Sequence, residues 1–208
     1  MTADGRWHVQ AIDEPSAALR LSSRGVEPPI VRELPATTLD RARRSRIAHI
    51  VVAESRRSFV VAFESMPELW EVSFDPDAPA IYDGLVHDWR GREAIGIPGF
   101  LNPRRTPWAD GSVAPIVKLS APNGAWVLAQ LAVASDARCS AVALINLDVR
   151  RVVGQWRLEG AADVVAARAA GPAAFVLPVR DDAGRERSVR IELPRGTTSA
   201  VVEPGCAR

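Results

Sequence analysis

The residues of this chain best suited to chemistry are gathered in one short run. His87, Asp88, Trp89, Arg90 and Arg92 lie within six positions, and Arg104 and Arg105 follow in the same Gly-, Pro- and Trp-rich stretch. An imidazole can ligate iron or donate a proton near neutral pH. Asp88 is placed to orient His87 or balance its charge. Guanidinium groups bind carboxylates through two parallel hydrogen bonds, so Arg90, Arg92, Arg104 and Arg105 form a candidate anion-binding group. Trp89 and Trp108 offer aromatic faces for stacking. The plainer alternative is a surface-loop histidine bonded to a neighbouring carbonyl, among solvated arginines.

Other titratable residues read more simply. His49 stands between Ala48 and Ile50 in a strand pattern and is expected as a half-buried sheet residue. His8 has no evident partner. Cys139 and Cys206 allow one disulfide, and two unrelated thiols is the simpler reading. The run Arg41-Ala42-Arg43-Arg44-Ser45-Arg46 reads as a solvated linker or turn. Covalent-haem, phosphate-loop, zinc-helix and serine-elbow motifs are absent from the sequence.

The elements that must position this run are strands. Apolar residues recur with period two: Trp70, Val72 and Phe74 alternate with Glu71 and Ser73, and Val189, Ile191 and Leu193 with Arg190 and Glu192. Shorter runs, such as Phe59-Val60-Val61-Ala62-Phe63 and Trp126-Val127-Leu128-Ala129, are apolar on both faces and suit strands covered on both sides. Asp75-Pro76-Asp77, Pro122-Asn123-Gly124 and Asp181-Asp182-Ala183-Gly184 punctuate them as turns. Strands are predicted over 47–53, 58–64, 68–74, 125–131, 140–147, 173–179 and 187–193. The segment 161–170 reads equally as a helix or as strand plus loop. Pro178, inside an apolar strand, predicts an edge or a bulge.

The strand pattern repeats. Ala125-Trp126-Val127-Leu128-Ala129 is echoed by Ala174-Phe175-Val176-Leu177-Pro178, and Ala143 to Asp148 by Val189 to Pro194. The period is roughly 45 residues, that of a propeller blade. The expected fold is therefore all-β and β-propeller-like, with about four blades in 208 residues. A β-sandwich with hairpins of similar length is the alternative. The chain is expected to be one domain, 1–208, with a poorly placed N-terminal blade over 1–35. Residues 83–115 form a long loop of the kind that is usually functional or mobile.

Composition limits the partners. Twenty-six basic against 25 acidic residues leave a net charge of +1. This balance gives no long-range field for nucleic acid or an anionic membrane. No apolar run approaches the roughly 20 residues of a membrane span. The N-terminus MTADGRWHVQAIDEPSAALR has charges and no apolar core, so it does not read as a signal peptide. A cytoplasmic chain is expected, or a periplasmic one if the N-terminus is incomplete.

Several segments resemble one family. Phe59-Val60-Val61-Ala62, Glu68-Leu69-Trp70-Glu71-Val72, Tyr82-Asp83-Gly84-Leu85-Val86-His87-Asp88, Pro98-Gly99 and Asn146-Leu147-Asp148-Val149-Arg150-Arg151 resemble the haem d1 propeller family. That family includes the d1 domain of cytochrome cd1 nitrite reductase. The likeness is greatest to the NirF-type proteins of haem d1 biogenesis, and it covers roughly residues 36 to 160. The family's propeller has about eight blades, so this chain corresponds to about half of one. An unclosed arc implies terminal blades with apolar faces uncovered and open strand edges, and hence a homodimer or docking on another haem d1 pathway protein.

The resemblance implies roles. Leu85-Val86-His87-Asp88 matches, with an inserted valine, the motif that sets a histidine over the haem d1 iron. His87 would then be the metal ligand or proton donor, with Asp88 beside it. Arg90, Arg92, Arg104 and Arg105 would bind the tetrapyrrole carboxylates, and Trp89 would stack on the ring. A second distal histidine is expected before the strand at Phe59. Ala53-Glu54-Ser55-Arg56-Arg57 stands there instead, and this argues against nitrite reduction. The implied function is binding haem d1 or a precursor, without covalent attachment, during its biogenesis or maturation. If the chain is an enzyme, it would be a tetrapyrrole-modifying oxidoreductase. The alternative is a truncated propeller that serves only as a protein-interaction module.

Overall fold

The computed structural model describes residues 1–2, 5–12, 18–23, 26–33, 46–63, 69–73, 116–132, 139–148 and 151–194. These residues form four antiparallel sheets that follow one another in chain order. Sheet 1 contains β1 (Trp7–Ile12), β2 (Ala18–Ser23) and β3 (Val26–Glu33). Sheet 2 contains β4 (Ile47–Ala53), β5 (Ser58–Phe63) and β6 (Leu69–Ser73). Sheet 3 contains β7 (Ile116–Leu119), β8 (Trp126–Leu131), β9 (Cys139–Asn146) and β10 (Arg151–Glu159). Sheet 4 contains β11 (Ala161–Ala162), β12 (Arg168–Ala169), β13 (Ala174–Arg180) and β14 (Glu186–Glu192).

Period-two alternation explains how the sheets stack. Along β5, Val60 and Ala62 turn to a core shared with Val127, Ala129 and Ile145 of sheet 3. Phe59, Val61 and Phe63 turn the other way, to a core shared with Trp7, Leu19 and Leu21 of sheet 1. Sheet 3 repeats the device: Leu128, Val142 and Leu144 face Phe175, Leu177 and Ile191 of sheet 4. Successive side chains of a strand point to opposite faces, so a strand buried on both sides must be apolar throughout. Three cores between four sheets rule out a two-layer sandwich. The fold is all-β and propeller-like, a stack of about four blades.

Every predicted strand is present, with described ends within a residue of those expected. The segment from Ala161 is strand, turn and strand. Pro178 corrects its expectation in part, because β13 is not an edge strand. It pairs with β14 on one side and with both β11 and β12 on the other. Pro178 lies between those two short partners. Its carbonyl accepts the Asp163 N–H at 2.9 Å on that side, so its nitrogen, which has no hydrogen to donate, faces the break in the ladder.

The terminal faces also differ from expectation. Sheet 4 presents Arg180, Glu186, Ser188, Arg190 and Glu192 outward, all exposed. Arg180 pairs with Glu186 at 3.8 Å, and Arg190 pairs with Glu192. Sheet 1 presents His8, Gln10, Arg20 and Ser22, with Val31 the large apolar exception at 52% exposed. The described outer faces are therefore mostly polar, as on capping repeats. Alternation placed most apolar residues of both end sheets on their inner sides, but half-buried Val176 and Pro178 share the outer face of sheet 4, and half-buried Ile12 and exposed Val31 that of sheet 1.

Candidate functional site

All the residues expected to hold a ligand, His87, Asp88, Trp89, Arg90, Arg92, Arg104 and Arg105, lie outside the described residues, as does Trp108. Cys206 lies outside them too, but Cys139 is disulfide-bonded, which corrects the reading of two separate thiols.

Among the described residues, polar chemistry concentrates in two places. The first joins sheets 2 and 3. Arg56, in the 3-10 turn Glu54–Arg56 between β4 and β5, reaches Glu71 of β6 with two bonds, Nε to Oε1 at 2.6 Å and Nη2 to Oε2 at 3.0 Å. Its Nη1 donates to Asp148 Oδ1 at 2.5 Å, in the turn after β9. Ser58 Oγ adds a third donor to Glu71 at 2.7 Å. The Glu71 side chain is 10% exposed and that of Arg56 24%. The hydrogen bonds to Glu71 hold the guanidinium pKa above its already high ordinary value, against burial that lowers it; Asp148 adds to the rise. Arg56 lies in the segment Ala53 to Arg57, where a histidine was expected, and its Nε, Nη1 and Nη2 are all engaged. It closes a joint between sheets.

The second place is an open groove of about 580 Å³ along the interrupted edge of sheet 4. Its volume falls within the range typical of small-molecule sites. Arg168, Arg180, Asp163, Glu186 and Pro178 line it, and Lys118 reaches in from β7. Arg180 is paired with Glu186, and Asp163 accepts the Ala166 N–H at 3.2 Å. Among the described residues, neither Lys118 nor Arg168 has an ion-pair partner. The described lining thus carries three cations against two carboxylates, and Lys118 and Arg168, from two sheets, are its cations without an ion-pair partner there.

His49 is half-buried in β4, as expected. Its Nδ1 accepts the Leu119 N–H at 3.2 Å. Ser120 donates across to Leu128 of β8, so the backbone of its neighbour Leu119 faces the free edge of β7. Leu119 is fully buried, and an unpartnered buried N–H costs about 1–3 kcal/mol. Burial pushes the His49 pKa below its ordinary value, and the nearby Lys118 charge adds to the shift.

The sequence reading missed Lys118, Arg168 and Arg180, which carry no motif. Glu71 and Asp148 did lie in family-like segments, and Arg56 in the segment Ala53 to Arg57 where a histidine was expected.

No family model matches the chain, and no curated protein matches it. Among solved structures it is similar to dihydro-heme d1 dehydrogenase NirN, solved in complex with DHE, at 18% identity and TM-score 0.36, over 94% of this chain and 47% of that one. It is also similar to the periplasmic gluconolactonase PpgL of Pseudomonas aeruginosa, at 11% identity and TM-score 0.34, over 96% of this chain and 70% of that one. The chain thus spans about half the length of the first of these, 47%.

Proposed function

We propose that this protein binds haem d1 or a carboxylate-bearing tetrapyrrole precursor and acts in its maturation. It holds the ligand without covalent attachment and does not itself reduce nitrite. The observation that carries this reading is the groove, where Lys118 and Arg168, without ion-pair partners among the described residues, offer cations from adjacent sheets to a ligand with several carboxylates. The family-like segments at Phe59, Glu68, Leu85 and Asn146 support it independently. The described residues fit the carboxylate edge of such a ligand. The iron is assigned to His87 on the family-like run Leu85-Val86-His87-Asp88, with Asp88 orienting it. Arg90, Arg92, Arg104 and Arg105 are assigned to further carboxylates, and Trp89 to the ring face. When bound, the tetrapyrrole would supply the redox chemistry, and the chain's part is to orient and shield it.

The proposal extends to organisation and place. Residues 1–208 act as one domain. The disulfide at Cys139 supports an oxidising compartment, and hence the periplasm.

Titration of the protein with haem d1, followed by visible absorbance, tests the binding reading. Lys118→Ala and Arg168→Ala are each expected to weaken binding about tenfold, the scale of one charge-assisted hydrogen bond. His87→Ala is expected to change the iron spectrum. Wild-type affinity in both groove variants would overturn the assignment of the groove.

A further inference from the structure

We propose that His49 is a positioning residue for the groove: its neutral imidazole pins β7 at Leu119, holds Lys118 in place, and lets go when protonated. This rests on the reading of the groove as a carboxylate site.

The pin is needed because β7 is poorly held by its own ladder. It is four residues long, and its register against β8 shifts between Ile116 and Lys118. Leu119 points into the core between sheets 2 and 3, while Lys118, the next residue back, lines the groove. A bond at the Leu119 N–H therefore acts on the backbone that aims Lys118. In the observed state Nδ1 is the acceptor, so the ring proton sits on Nε2. Protonation puts a hydrogen on Nδ1 as well. Two N–H groups then face each other at 3.2 Å, and the bond is lost.

The charged surroundings of His49 are simple. Val51 and Ala53 share its face of β4 and pack toward sheet 3. Neither β4 nor the paired β5 carries another ionisable side chain, and β7 carries only Lys118. Sheet 1, on the opposite face, turns Trp7, Leu19 and Leu21 toward sheet 2. A charged His49 would thus meet Lys118 as its repelling neighbour. Both effects have one sign: acidification loosens the grip of Lys118 on an anion.

The metal-free tetracarboxylate coproporphyrin III, followed by fluorescence between pH 7.5 and pH 5.5, is a suitable probe. His49→Asn keeps an acceptor that does not titrate, and His49→Leu removes the acceptor. Wild-type affinity is expected to fall severalfold more than that of His49→Asn over this range, short of the full loss of one such contact because burial keeps part of the imidazole neutral. The probe's own titration is common to both proteins. His49→Leu is expected to bind weakly even at pH 7.5. An equal fall in wild type and His49→Asn overturns the proposal, as does full affinity in His49→Leu. The Leu119 amide separates this from the functional reading. Its protection from hydrogen exchange, taken relative to the intrinsic rate at each pH, should fall on acidification in the wild type and be low at all pH in His49→Leu, with or without probe. If the probe does not bind but the amide behaves so, the carboxylate reading fails and the pin stands. If protection is unchanged by pH and by His49→Leu, the pin is refuted.

Discussion

Arg56 carries the most consequential single side chain among the described residues. Its guanidinium meets two carboxylates, and one of them, Glu71, is nearly out of solvent. Removing one partner of a buried pair leaves the other desolvated and uncompensated. Ser58 would remain as the one side-chain donor to Glu71. Arg56→Ala is therefore expected to destabilise the fold by about 2–3 kcal/mol, less than a wholly buried pair because the guanidinium keeps some contact with water. Urea unfolding checks this, and Arg56→Lys should recover only part of the loss because an ammonium cannot span both Glu71 oxygens. Equal stability of Arg56→Ala and wild type would show the cluster to be incidental.

At the scale of elements, the edge of sheet 4 is the informative feature. The passage from β10 to β11 turns at Gly160, where φ is +100°. A Cβ there would come within 2.5 Å of the Arg180 carbonyl oxygen. That oxygen belongs to the strand that forms the groove floor, so the backbone must yield. Ser140 Oγ clamps the same turn, donating to the Gly160 carbonyl at 2.9 Å and accepting the Ala162 N–H at 2.8 Å. Asn123 Nδ2 secures the other end of sheet 4, donating to the Gly171 and Ala174 carbonyls at 2.9 and 3.2 Å. Gly160→Ala is expected to cost about 2 kcal/mol or more, from strain at positive φ plus the close approach. Thermal unfolding reads the loss directly. A melting temperature within a degree of wild type would mean that β11 shifts freely and that the groove edge is not a fixed structure.

For the whole molecule, the question is what limits the stack. An open arc was expected to leave apolar end faces. Instead, the described residues of sheets 1 and 4 turn mostly charged and polar side chains outward, with Val31, Val176 and Pro178 among them. The edge strands are guarded as well: β3 carries Pro28 and Pro29, and β14 alternates Glu186, Arg187, Arg190 and Glu192 with few apolar residues. Such edges resist pairing with another chain. The protein is expected to sediment as a compact monomer at micromolar concentration, with low binding of a hydrophobic dye. A concentration-dependent dimer would contradict this reading of the end faces and return the open edges to consideration.

Much of the architecture was legible in the sequence because its cause is local. A strand buried on both sides must be apolar at consecutive positions, and Phe59 to Phe63 and Cys139 to Ile145 say so directly. Turn residues and the repeat spacing then count the blades. The nature of the end faces was not legible, because alternation shows that a strand has two faces without showing which one meets a neighbour. Site chemistry was legible only where residues cluster along the chain, as from His87 to Arg105. His49 and Leu119 are 70 positions apart, and Arg56 and Asp148 are 92 apart. Lys118 and Arg168 share the groove only because β7 and β12 lie in adjacent sheets. Such pairs leave no spacing signal, since the stacking of sheets, and not the chain between them, sets their distance. The sequence thus determined seven of the fourteen described strands and the spacing of the blades, and the tertiary structure decided the remaining strands, which charges have partners and which histidine holds a neighbouring strand.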